Sequence, residues 1–291
     1  MSYAQALERS AEVKGKRHLL LGNGFSIACR PESFSYGQLL AEADLGSLSV
    51  PGNELFEYEE TVDFERVIRS LRVAARMADF YETTDPSLSA RFGAGADHLK
   101  DILAATLAKK HPDNVGEISE AEYRSAHDFL VCFDHFFTLN YDRLLYWALL
   151  QEFEPAINHN DGFSSDADDE DAPWVVWNDY RQDGQTVYFV HGGLHLYAQG
   201  ATLRKLTFSR TGIALVDQIR DQLDDGALPL IVTEGSSEEK HAAILHHAYL
   251  AKSLRSLTSR SGSLFVHGHS LDDTPGTFSA RSSKASTRRC S

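Results

Sequence analysis

Residues 18 to 26 read HLLLGNGFS, an unbroken apolar run that ends abruptly in two glycines around an asparagine. A strand with one wet face alternates in polarity. Leu19, Leu20 and Leu21 do not, so this strand must be covered on both faces, as parallel strands layered between helices are. Gly22 and Gly24 permit a tight turn and close approach of other backbone, and Ser26 is offered as a helix start. Ligands of such sheets bind beyond the carboxyl ends of the strands, where helix amides favour anionic phosphate, so the turn is a candidate phosphate cradle. The third glycine of a dinucleotide fingerprint is missing, which leaves the motif unspecific by itself.

Further apolar runs end in the same way: HFFTLNYD (135 to 142), TVYFVHGG (186 to 193), LPLIVTEG (228 to 235) and SLFVHGHS (263 to 270). Helical periodicity lies between them. Phe64, Val67, Ile68, Leu71, Ala75 and Ala78 recur at three- and four-residue steps, with Asp63 and Glu65 where a helix dipole favours negative charge. A second helix is expected over about 95 to 109 and a third over about 119 to 132, together a helical insertion of about 55 to 132. The pattern predicts an α/β fold: a doubly wound, mostly parallel, Rossmann-like sheet over 15 to 273, with that insertion after the first βα unit. DADDED (166 to 171) reads as a solvated loop. Beyond Asp273 the chain has almost no apolar residues, so 274 to 291 is expected to be disordered. So abrupt a change where a helix should follow points to an altered or out-of-frame tail.

Composition narrows the partners. A formal net charge of -14 opposes attraction to nucleic acid or to an anionic membrane surface. No apolar run is long enough for a transmembrane helix and the first residues lack a signal sequence, so a cytoplasmic protein is expected. The cysteines, Cys29, Cys132 and Cys290, form neither a disulfide framework nor a zinc ribbon, and Cys29 reads as buried and inert.

The residues of interest all close strands: Gly22, Asn23, Gly24 and Ser26, then Asn140 and Asp142, His191, and finally Gly268 and Ser270. In a parallel sheet these positions converge on one edge. Each also has an ordinary role: Asn140 and Asp142 can cap the helix that runs on as RLLYWALLQEF, and a histidine closing a strand is commonly structural. Phe25 can cover a bound ring or pack in the core. Thr233, Glu234 and Ser236 end a strand run on the same edge, and Trp174, Trp177 and Tyr180 form an aromatic group whose default role is packing. A histidine beside a carboxamide and a phosphate cradle raises the odds of a shared crevice over separate structural roles.

Taken in order, LGNGFS (21 to 26), TLNYD (138 to 142), FVHGG (189 to 193) and HGHS (267 to 270) resemble the strand-end motifs of the sirtuin superfamily of NAD-consuming proteins. DFERVIRSL (63 to 71), KLTFSRTG (205 to 212) and EGSSEEK (234 to 240) are similar to segments of its bacterial sirtuin-like branch. The resemblance implies a sirtuin-like fold with NAD as substrate or ligand. It would put the pyrophosphate on Gly22, Gly24 and Ser26, Asn140 on the nicotinamide ribose or a water, Asp142 near the nicotinamide amide, His191 as general base, and Gly268 and Ser270 along the adenosine end. Deacylating sirtuins carry a four-cysteine zinc ribbon that this chain lacks, so the expectation is an NAD glycohydrolase without zinc, with a role in phage defence. Alternatives are a non-catalytic NAD or ADP-ribose sensor acting through a homo-oligomer or partner protein, and a metal-dependent hydrolase using His267, His269 and Asp272, with His191, His195, His246 and His247 in reserve. Hydride chemistry is disfavoured, because Asp44 follows a helical segment rather than a second strand.

Overall fold

The computed structural model describes residues 2–48, 50–81, 87–178, 184–200, 202–225, 227–232 and 237–269. The chain begins with α1 (Tyr3–Glu12), β1 (Lys16–Leu21), α2 (Asn23–Cys29), α3 (Pro31–Phe34) and α4 (Tyr36–Glu42). The helical stretch continues through α5 (Gly52–Tyr58), α6 (Phe64–Phe80), α7 (Ser87–Lys110) and α8 (Glu120–Leu130). Next come β2 (His135–Thr138), α9 (Leu144–Leu149), β3 (Phe163–Ser165), β4 (Trp174–Trp177), β5 (Val187–Phe189), β6 (Leu196–Gln199) and β7 (Thr202–Leu206). The described part closes with α10 (Phe208–Thr211), α11 (Leu215–Asp224), α12 (Ser237–His246), α13 (Ala248–Ser259) and β8 (Gly262–His267).

Among the described residues the strands form a parallel sheet in the order β5-β2-β1-β8 and an antiparallel sheet in the order β3-β4-β7-β6. The parallel order is compatible with a Rossmann-like fold: β2 and β5 lie on one side of β1 and β8 on the other, so the connection reverses at β1. Leu21 pairs with Thr138 and with His267, which brings the residues after β1, β2 and β8 to one edge.

The leucine run behaves as its lack of alternation demands. Leu19 and Leu21 enter a large core shared with the helical stretch, whereas Leu20 faces a smaller core with Phe137, Tyr188, Val190 and Leu257. All three leucines are fully buried, which stabilises the fold by about 1.5–3 kcal/mol each before entropy is counted. In α6, Asp63 caps the helix by accepting the Glu65 amide at 2.9 Å, and Phe64, Val67, Ile68 and Leu71 are buried.

Several expectations are corrected. Gly22, in extended backbone, is the residue before α2, so the helix starts at Asn23 and Ser26 lies inside it. The second helix of the insertion begins at Ser87, well before position 95. Residues 227–232 do not add a parallel strand; Ile231 makes an isolated antiparallel bridge with Gly192. The antiparallel sheet, with Trp174 and Trp177 in β4, went unforeseen, because its short strands lack a clear alternation of polarity. Residues 166–171 form a largely exposed loop between β3 and β4. Residues 274–291 lie outside the described residues, and no helix among those described is long and apolar enough to cross a membrane.

Buried histidines give the fold a pH dependence. His111 and His195 are fully buried and His135 nearly so. Burial, aided by nearby cations, holds the first two well below the ordinary value of 6.5 and lowers His135 to about 4. The unfolded chain therefore binds protons first as pH falls: stability is full above 6.5 and declines below it. Each histidine contributes up to about 1.4 kcal/mol per pH unit in that window. Denaturant midpoints measured from about pH 7 down to about pH 5 should fall steadily; a constant midpoint would contradict this account.

Candidate active site at the strand ends

Ser26, one turn into α2, is fully buried and stands between the two polar residues that follow β2. Asn140 Nδ2 donates to Ser26 Oγ at 2.8 Å and to the Gly22 carbonyl at 3.0 Å. Ser26 in turn donates to Asp142 Oδ2 at 2.5 Å. Each donor finds an acceptor in a directed chain from carboxamide to hydroxyl to carboxyl. Both Nδ2 hydrogens of Asn140 are used, so its Oδ1 is the atom left to accept from a ligand.

Asp142 also does what a helix cap does, because its Oδ1 accepts the Leu144 amide at 2.9 Å. The capping and site readings therefore coexist on separate oxygens. Burial raises the Asp142 pKa above the ordinary carboxylate value, while the Ser26 and Leu144 hydrogen bonds and the Arg143 charge pull it the other way. Arg143 is itself completely buried, with its guanidinium 4.8 Å from the Trp147 ring centre, and burial lowers its pKa to about 9.

The glycines serve a close approach. The Gly22 amide donates to the His267 carbonyl at 2.9 Å, the Gly24 amide to Gly268 at 2.8 Å and the Phe25 amide to Gly22 at 3.0 Å. A Cβ on Gly22 would lie 2.6 Å from the Gly268 oxygen, and one on Gly24 would lie 2.5 Å from the Gly268 Cα. Gly268 adopts φ +69°, a conformation suited to glycine. The turn after β1 and the end of β8 are thus knitted backbone to backbone, and the amides expected to cradle phosphate are engaged with protein carbonyls. Phe25 is buried in the main core.

A cavity of about 100 Å³ opens beside this network, lined by Gly22, Asn23, Asn140, Asp142, His191 and His269. It would hold one ring-sized group, not a whole dinucleotide. Its opposite wall includes Glu65 of α6 and Leu103 and Leu107 of α7. The Tyr141 hydroxyl lies 2.9 Å from both Glu65 Oε1 and the Val232 carbonyl, joining the strand end to the insertion and to residues 227–232. Sequence reasoning overlooked Glu65 and Tyr141 as site residues. Asp63 and Glu65 were legible as first-turn acids, which is a local signal and says nothing of what the helix faces. Larger hollows, of about 300 Å³ beside Arg17 and Asp134 and about 620 Å³ beside Phe56 and Glu60, lie away from the strand ends.

The remaining candidates scatter. The His267 ring packs 5.1 Å from Phe129, whereas His269 sits at the cavity, and His195 is enclosed with Phe189 and Tyr146 nearby. Among the described residues no group of three or more His, Cys, Asp or Glu could hold a metal ion. Cys29 is half-buried, and burial with the nearby Asp142 charge raises its thiol to about 11, so it is not a ready thiolate. Ser270, Asp272, Thr233, Glu234, Ser236 and Tyr180 lie outside the described residues.

A family model described as a domain of unknown function, DUF4917, matches residues 19–290. The chain belongs to the DUF4917 family. The DUF4917 match takes in the turn after β1, the helical stretch, the ends of β2, β5 and β8, and the residues beyond Asp273. No curated protein matches the chain.

Proposed function

We propose that this DUF4917 protein is a sirtuin-like, doubly wound NAD-binding protein that hydrolyses NAD to nicotinamide and ADP-ribose. The observation that carries the reading is the buried Asn140–Ser26–Asp142 chain beside His191, at the point where the sheet connection reverses. Hydrolysis of NAD transfers the ribose C1′ from the nicotinamide nitrogen to a water oxygen. The electron pair of the broken bond neutralises the ring nitrogen, and the water gives up a proton. His191 would accept that proton and pass it to solvent. Asn140, held rigid by Gly22 and Ser26, would orient the water or a ribose hydroxyl through its Oδ1. Asp142 positions that pair and fixes the start of α9.

The nicotinamide end would sit at the cavity, and the adenosine end would be lined by Gly268, with Ser270 carried only by the family resemblance. Phosphate contact at Gly22 and Gly24 would require their amides to exchange the carbonyls of β8 for the ligand. The same proposal covers a cytoplasmic antiviral role through NAD depletion. A sensor reading is favoured by one feature, the Tyr141 bond that ties the site to Glu65 on the insertion, through which occupancy could be felt elsewhere. Purified protein incubated with NAD distinguishes the two by release of nicotinamide. Binding without release supports the sensor, and failure to bind NAD or ADP-ribose refutes both.

A further inference from the structure

Behind the strand-end cavity the interior holds polar side chains that the proposed chemistry does not use. Arg143 is completely buried. Its Nε and Nη1 have no hydrogen-bond partner among the described residues, and Nη2 meets only His111 Nδ1, at 3.0 Å. That contact is contested. His111 Nε2 accepts the Arg143 amide at 3.2 Å, so the neutral ring carries its proton on Nδ1, which faces the Pro112 carbonyl at 3.1 Å. A neutral imidazole has one lone pair to offer, and the backbone amide already uses it. The guanidinium, with a pKa lowered to about 9, keeps its charge at neutral pH and has only the face of Trp147 against it.

Two more buried groups share this want of partners. His195 is completely enclosed with neither ring nitrogen bonded, and the Tyr197 hydroxyl is buried and unbonded as well. His195 directly precedes β6 and Tyr197 lies within it, so strand alternation puts both on one face. Both lie near enough to Arg143 to feel its charge. The nearby carboxylates are engaged: Asp142 accepts from Ser26 and Leu144, Asp161 pairs with Lys205, and Asp113 pairs with Arg220. Buried donors without acceptors are costly, and a buried charge is more so. The group lacks an acceptor, and a charged one suits it best. Arg143, His195 and Tyr197 line none of the three hollows described above, so that acceptor is small. A water would bring two donors of its own into a cluster already rich in them.

We infer that Arg143, His195 and Tyr197 form an internal binding site for one small anion of the halide class, chloride above all. The inference stands apart from the NAD reading. The ion joins the start of β6 to the turn before α9, which the Leu194 amide also reaches by donating to the Tyr141 carbonyl at 2.9 Å. It thereby steadies the turn that carries Asn140 and Asp142.

The test follows thermal melting of protein dialysed free of halide as chloride replaces gluconate at constant ionic strength, gluconate being too bulky for an enclosed site. The melting temperature should climb by about 3 °C or more and then level off, as mass action on one site requires. Bromide should reproduce the rise. Arg143→Met removes the charge and keeps a chain of similar length, an exchange that buried charges commonly tolerate. It should melt at one temperature whatever the anion. Tyr197→Phe should raise the half-saturating chloride concentration about tenfold, the worth of one hydrogen bond to an ion. A crystal grown in bromide should show anomalous scattering beside the Arg143 guanidinium. Melting that ignores chloride, with ordered water and no bromide at Arg143, overturns the site. An Arg143→Met protein that still responds to chloride overturns it too. Should that variant fail to fold, Tyr197→Phe and the bromide crystal decide.

Discussion

His191→Ala should slow NAD cleavage by about 10²- to 10⁴-fold, the usual contribution of a positioned general base. The imidazole lines the cavity just beyond β5, within the same small space as Asn140 and Asp142. The variant keeps one backbone tie, in which the His191 carbonyl accepts the Val232 amide at 2.9 Å. A thermal melt of the variant beside its activity tells lost chemistry from lost fold. Asn140→Ala makes the contrast. It removes the donor to both Gly22 and Ser26, so activity falls together with stability, by about 1–3 kcal/mol for the buried groups left unpaired. Nicotinamide release and thermal melting, measured on both variants, separate these effects. A His191→Ala protein that cleaves NAD at the wild-type rate rules out the base.

The largest effect on folding should come from the next residue. Gly192→Ala would put a Cβ 1.9 Å from the Leu230 carbonyl oxygen, at a φ of +82° that side chains rarely adopt. Leu230 cannot retreat cheaply. Its carbonyl accepts the Gly193 amide at 2.9 Å and its amide donates to Leu196 at 2.6 Å, while Ile231 bridges to Gly192. Relief of the clash must break part of this ladder and loosen Val232, whose carbonyl meets Tyr141. The cost should be about 3 kcal/mol or more, seen as a large fall in denaturant midpoint or as insoluble expression. A Gly192→Ala protein as stable as wild type would mean that residues 227–232 are not pinned to the strand end.

The parallel sheet was legible because burial on both faces leaves a mark within a few residues: Leu19 to Leu21 and Phe136 to Phe137 are apolar without alternation. The described part of LPLIVTEG, residues 228–232, carries the same mark yet forms only an isolated bridge, since a short apolar run records burial and not pairing. The meeting of Gly22, Asn140, Asp142 and His191 was legible for a related reason, because parallel strands that end together bring their last residues together. What the glycines do was not. Gly24 and Gly268 are far apart in sequence, and neither position announces that each leaves room for the other. Glu65 was hidden likewise, since its meaning depends on a tertiary contact with Tyr141.

The backbone seam between the turn after β1 and the end of β8 also sets an order of events during synthesis. β1 is made long before one of its two neighbours and before the carbonyls that satisfy Gly22 and Gly24, which arrive only with residues 262–268. A contact of such long range is slow to close and contributes little until it does. The crevice therefore lacks the wall that Gly268 and His269 supply until residues 262–269 have been made.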